Sequence, residues 1–161
     1  MPLTIDEIAG KLSARFPECV KSVETAHAGD PFLVIDPERI LDVCRFLRDD
    51  RELSFEWLMC LSGVDYPPDN IAVVYHLHSQ THGHKLAVKV LLDRKEPHVR
   101  SVESVWRMAD WHERECYDMF GVVFDEHPDL RRILLPFDWE GYPLRKDYVA
   151  PDTYRGVTNK P

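Results

Sequence analysis

The apolar positions at the start of the chain repeat with a helical period. Ile5, Ile8, Leu12 and Phe16 fall on one face, and Thr4 with Glu7 forms a capping box. This predicts a helix over residues 4–16. Pro17 ends it, because proline disfavours helical backbone in the residue before it. Val20 to Ala28 is strand-like, and Phe32 to Ile35 is a short apolar strand. Asp36-Pro37 then opens a second helix, with aspartate as N-cap and proline in the first turn. Its buried stripe is Ile40, Leu41, Val43, Cys44 and Leu47, and Arg48 suits its C-terminal dipole.

Leu53 to Val64 is aromatic and apolar and reads as a buried strand. Asp65 to Asn70, with Pro67-Pro68, reads as a loop. Ile71 to His78 and Leu86 to Leu92 are strands joined by the polar stretch Ser79 to Lys85, the signature of a hairpin with a longer loop. A third helix is predicted from Val102 to Phe120, with Ser101 as N-cap and Gly121 as C-terminal cap. Helices and hairpin-linked strands in this order predict an α+β fold, a two-layer sandwich of helices on a mixed sheet, rather than a doubly wound parallel sheet.

The pattern changes at about Glu126. Pro128, Pro136, Pro143, Pro151 and Pro161 exclude regular helix and central strand. Phe137, Trp139, Tyr142, Leu144, Tyr148 and Tyr154 are interleaved with them, whereas disordered tails are poor in aromatics. The chain therefore divides into a globular domain over 1–125 and an extended, proline-rich C-terminal segment over 126–161 that lies across another surface.

The bulk numbers narrow the function. A chain of 161 residues can bury a real core, and its 44% hydrophobic and 30% charged residues are ordinary for a globular protein. The net charge of -8 argues against a nucleic-acid binder, which needs a basic face. No apolar run reaches the roughly 18–20 residues that span a bilayer. Residues Met1 to Arg15 carry acids and lack the compact apolar block of a signal peptide, so the chain is read as cytoplasmic. Cys19, Cys44, Cys60 and Cys116 each stand alone, without the clustered thiolates of iron–sulfur or zinc sites, and read as small core residues.

The chemistry-bearing residues concentrate between Trp111 and Tyr148. Glu113, Arg114, Glu115 and Asp118 crowd the end of the third helix. Arg114 and Asp118, four apart, are placed to pair on its surface. Arg131, Arg132, Arg145 and Lys146 follow, and acids on the helix with arginines after it would fix the tail against the domain. The alternative for any one of them is a solvated charged face. Trp111, Trp139, Tyr142 and Tyr148 lie among these charges. Trp, Tyr and Arg are the types enriched where proteins dock, which favours an interface.

This segment resembles the signature of the respiratory complex I 30 kDa subunit family. Glu113, Arg114, Glu115, Asp118, Met119, Phe120, His127, Arg131, Ile133 and Leu134 fill the family's pattern, and Trp139 to Tyr148 (W-E-G-Y-P-L-R-K-D-Y) resembles its C-terminal motif. The resemblance is strongest over Ser101 to Tyr148. It implies a non-redox subunit of the quinone module of a proton-pumping NADH–quinone oxidoreductase, peripheral on the cytoplasmic side of the inner membrane. The implied partner is the 49 kDa-type subunit, along which the tail would run, together with neighbouring subunits of the peripheral arm. The implied interface residues are Glu113, Arg114, Glu115, Asp118, His127, Arg131, Arg132, Trp139, Arg145 and Tyr148. No flavin, cluster or quinone is expected in this chain. FMN and iron–sulfur clusters are expected elsewhere in the parent complex, which would use NADH and quinone, and the isolated chain is expected to be inactive. Related subunits occur in membrane-bound hydrogenases and share the motif. The chain reads as a short, unfused member.

Two other readings stand beside this one. His76, His78, His82 and His84 form H-x-H…H-x-H across the hairpin, and alternate residues of a strand share a face. Zinc accepts such a set, but a polar solvent-facing hairpin is the favoured account, and no metal site is assigned. The Glu113–Asp118 cluster with His127 is chemically suited to proton transfer if buried. Nucleophilic catalysis has no support, since there is no G-x-S-x-G and Cys116 has no partner motif.

Overall fold

The computed structural model describes residues 2–25 and 30–158. Three α-helices and a five-stranded mixed sheet form the body. The first helix, α1, is Ile5–Arg15, capped as its sequence predicts: the Thr4 hydroxyl accepts the Glu7 amide and the Glu7 carboxylate accepts the Thr4 amide. Strand β1 is Val20–Glu24 and β2 is Phe32–Ile35. The part of the expected first strand over 26–28 lies outside the described residues. Asp36 caps a 3-10 turn, Pro37–Arg39, which leads into α2, Ile40–Asp49.

Three long strands follow: β3 (Trp57–Tyr66), β4 (Asn70–His78) and β5 (Lys85–Asp93). The sheet order is β1-β2-β5-β4-β3, antiparallel except for the parallel pair β2–β5. The strand expected from Leu53 starts later, at Trp57. Leu53 and Phe55 are buried but form the approach to it, held by Asp50 and by the Leu47 carbonyl. The expected loop over Asp65 to Asn70 is tighter than its prolines suggest, because both strands run into it.

Alternation sets the two faces of the sheet. Leu33, Ile35, Ile71, Val73, Tyr75, Val88 and Val90 point into one core with Ile8 and Leu12 of α1 and the buried stripe of α2. The opposite parity carries Phe32, Val34, Val74, His76 and Lys89, which are only partly covered or exposed.

The third helix, α3, spans Ala109–Phe120, shorter than the expected 102–120. The reason lies in two captured groups. The Val105 carbonyl accepts the Arg48 guanidinium, and the Trp106 indole donates to the Phe55 carbonyl. Residues 102–106 thus make a single turn fixed to the body before the helix starts. Ser101 does not cap it; its hydroxyl donates to Glu113. Strands β6 (His98–Arg100) and β7 (Val123–Asp125) pair in parallel on either side of α3. Gly63 of β3 lets α3 pack closely, since a Cβ there would sit 2.5 Å from Phe120 Cδ2 and 2.8 Å from Cys116 Sγ.

Candidate functional site: a clasp at the end of the third helix

A helix leaves its last four carbonyls without helical partners. In α3 these belong to Tyr117, Asp118, Met119 and Phe120, and all four are satisfied from downstream. Gly121 donates its amide to Tyr117 at 2.9 Å, and Leu144 donates its amide to Met119 at 3.1 Å. The Arg132 guanidinium reaches the Asp118 carbonyl at 3.0 Å, and Arg145 Nε the Phe120 carbonyl at 2.6 Å. Two cations therefore sit at the negative end of the helix dipole.

Asp118 is the centre of this clasp. Its side chain is fully buried and accepts three consecutive amides, from Ile133, Leu134 and Leu135, at 2.7–3.0 Å. Arg132 adds an ion pair at 2.7 Å. Burial alone would raise the carboxyl. The Leu135 amide, Arg132 and the other two amides outweigh it and hold Asp118 below the usual carboxylate range. The expected Arg114–Asp118 pair does not form, because the tail amides and Arg132 saturate the carboxylate. Arg114 is buried instead under Trp111, its guanidinium carbon 5.0 Å from the ring, with Nε toward the Arg131 carbonyl.

Aromatic packing closes the clasp. The Arg132 and Arg145 guanidinium carbons both lie over the Tyr142 ring, at 5.3 and 5.0 Å from its centre. Gly121 adopts φ +74°, and a Cβ there would meet the Tyr142 ring at 2.5 Å. Its lack of a side chain thus serves both the cap and the ring. Beyond it, the Trp139 indole donates to the Tyr148 hydroxyl at 3.0 Å.

A second anchor fixes the segment to the sheet. Asp65, buried at the end of β3, takes Arg94 through two bonds of 2.9 Å and the Lys146 amide at 2.7 Å. Arg94 also holds Asp147. The Arg94 guanidinium keeps the Asp65 carboxyl below its ordinary range. The segment after residue 126 thus runs through a series of turns and is bound to the chain's own body as far as Asp147.

Glu113 belongs to a separate buried cluster. It accepts Ser101 Oγ at 2.6 Å and the Val102 amide at 2.8 Å. Burial pushes its carboxyl up to about 7, with those two bonds opposing and Glu103 and Asp110 reinforcing. His127 lies 3.9 Å from Glu113 and 3.3 Å from Asp110 Oδ1. His127 Nδ1 accepts the Asp129 amide, which leaves its Nε2–H to donate to the Asp110 backbone carbonyl at 3.3 Å, beside the two acids. Glu113 and Asp118, taken together in the sequence, therefore serve different clusters. Of the other singled-out residues, Glu115 is exposed and Arg131 pairs with Asp129.

The histidine hairpin is not uniformly solvent-facing. His84 is buried, its Nδ1 accepting the Leu3 amide and its Nε2 bonded to the Glu52 carbonyl, with His82 stacked on it. Among the described residues no group of three or more His, Cys, Asp or Glu is placed to hold a metal. Sequence reasoning did not single out Asp65, Arg94 or Asp147. Gly141 and Tyr142 were visible in the C-terminal motif, but Asp65 and Arg94 carry no local signal.

Comparison with known proteins gives the family in which this fold and this segment occur. Residues 33–154 match the family described as respiratory-chain NADH dehydrogenase, 30 Kd subunit. The chain belongs to this family. A relative from Chlorobium phaeobacteroides, named as a subunit of NADH-quinone oxidoreductase, is 46% identical over 145 residues, covering 89% of this chain and 87% of the relative. One of the same name from Chloroherpeton thalassium is 44% identical over 91% of this chain, which spans only 61% of that longer relative. Among solved structures, the trypsin-resistant fragment of Nqo5 is similar at TM-score 0.64 and 28% identity, over 78% of this chain and 98% of the fragment. A chain of an archaeal membrane-bound sulfane sulfur reductase shares the fold at TM-score 0.72 and 23% identity, over 89% and 85% of the two chains. The family's α+β body with a mixed sheet is the one described above. No helix among the described residues is long and apolar enough to cross a membrane.

Proposed function

We propose that this chain is a non-redox structural subunit of the quinone module of a proton-pumping NADH–quinone oxidoreductase. It docks the 49 kDa-type subunit on the cytoplasmic side of the inner membrane and supports electron transfer from NADH to quinone by holding that partner in position. FMN and iron–sulfur clusters belong to other subunits of the complex. Family membership and the names of the relatives support the assignment to the complex. The clasp supports the mechanical role: the signature residues bind the C-terminal segment to the body instead of framing a reaction centre. The cysteines agree with this, since burial pushes the thiols of Cys44 and Cys116 well up, which suits packing and not ligation.

The observation that carries the reading is the seizure of three tail amides by Asp118. It makes one rigid unit of helix and tail, with Glu115, Arg131 and the apolar Trp111, Leu134 and Leu144 on its outer surface and Glu113, Arg114 and Asp118 inside. Rigidity matters because small displacements near a reacting centre cost large factors in rate. The test is Asp118→Ala in the native complex, read by assembly on native gels and by turnover per assembled complex. Assembly falls while turnover per complex holds. Full assembly with lost turnover would instead assign the cluster to chemistry. The purified chain alone shows no NADH oxidation.

A further inference from the structure

Two hollows lie along the outer face of α3 and share His112 and Glu115 as their common wall. One, of about 190 Å³, is bounded by Gly63, Met119 and Leu144. The other, of about 330 Å³, is bounded by Trp111 and Leu134. The rim is apolar and open: Trp111 is 63% exposed, Leu134 60% and Leu144 53%. Glu115 stands exposed between the hollows, and among the described residues no cation lies within ion-pair distance of it. The first hollow borders Leu61–Gly63 of β3, the last strand of the sheet, whose outward backbone groups have no partner among the described residues.

We infer that this trough seats an extended segment of the neighbouring subunit with the pattern apolar–x–basic–x–apolar. The inference rests on the docking role proposed above and names the chemistry of the docked segment. The spacing follows from geometry. Trp111, Glu115 and Met119 are successive fourth residues of α3, so the trough runs about 12 Å at 1.5 Å per residue. In an extended chain every second side chain faces the same way, and four residues span about 13 Å. One face of a five-residue strand therefore puts an apolar side chain in each hollow and a lysine or arginine over Glu115. The unpaired edge of β3 favours an extended segment over a helix, because only an extended backbone can donate and accept along it.

The test uses the whole complex from native membranes, with a benzophenone photo-crosslinker in place of Trp111 or Leu144. Both positions capture the same short peptide of one neighbouring subunit, at residues about four apart in line with the extended spacing, with a lysine or arginine between them. Glu115→Lys lowers incorporation of the chain by about tenfold, the ratio equivalent to 1.4 kcal/mol, and reversing the captured basic residue restores it. Capture of two different subunits, a helical spacing of seven or eight, an absent or acidic central residue, or no capture at all would each overturn the proposal. A crosslinker at Leu91, on the opposite face of the sheet, separates the failures. If it captures a subunit while the trough does not, the docking role stands and this inference falls.

Discussion

The Arg132 guanidinium grips Asp118 twice, on its carboxylate at 2.7 Å and on its backbone carbonyl at 3.0 Å. A residue of the helix's last turn is thereby locked to the C-terminal segment, which acts as a strap across the helix end. A helix cap and a tertiary anchor are one contact.

Removing the acid should release the strap. Asp118→Ala leaves three amides without their acceptor and strips the mostly buried Arg132 of its counter-charge, leaving it only the backbone carbonyls of residue 118 and Gly141, and loss of one partner of such a pair costs about 3–5 kcal/mol. Asp118→Asn keeps part of the hydrogen bonding and should cost less. Denaturant midpoints at constant m-value give the order, and limited trypsin digestion should cut at Arg145 and Lys146 first in the alanine variant.

Gly121 faces two independent constraints. Alanine there pays about 1–2 kcal/mol for left-handed backbone and also meets the Tyr142 ring. Tyr142→Ala removes the second cost and not the first. The double variant should therefore be less destabilised than the sum of the singles, a coupling readable in a double-mutant cycle by equilibrium unfolding.

Glu113 should give stability a negative slope with pH. Its carboxyl is raised from 4.5 to about 7 in the folded chain, so the folded state binds the proton more tightly than the unfolded state. The resulting stability is full below about 4.5 and lost as pH rises to about 7, by roughly 3 kcal/mol. Glu113→Gln should flatten that slope. The depressed carboxyls of Asp65 and Asp118 act in the opposite sense, their contribution being lost as pH falls through their folded values. Unfolding midpoints followed from pH 8 to below 3.8 separate the two effects, the aspartates acting only at the acid end.

Arg94 should matter more than its position in a loop suggests, because it joins β3 to the strap through Asp65 and Asp147. Arg94→Met leaves Asp65 buried with only the Lys146 amide. Protection of the Lys146 amide from hydrogen exchange should drop while that of the β4 core stays unchanged.

Much of the body was legible because its signals are local. The Thr4–Glu7 box, the Asp36-Pro37 start and the strands flanking the histidine turn all follow from neighbours in sequence. The misreadings came from long-range capture. Val102 to Val105 has a helical period, but Arg48, far back in the chain, takes the Val105 carbonyl. Arg114 and Asp118 have pairing distance, but amides fifteen to seventeen residues on reach Asp118 first. His84 reads as a loop residue, yet the Leu3 amide and the Glu52 carbonyl hold it inside. The motif at Trp139 to Tyr148 identified the segment that matters without revealing that its Arg145, together with Arg132 before it, would end a helix.

That ending has a consequence for biosynthesis. Chains emerge from the ribosome N-terminus first, so the final turn of α3 is made well before Arg132, Leu144 and Arg145 exist to complete it. Until the strap arrives, three of the four carbonyls stay open to water and Asp118 remains a solvated carboxylate. The strap therefore closes after the body it seals, and a truncated or stalled polypeptide leaves that helix unsealed.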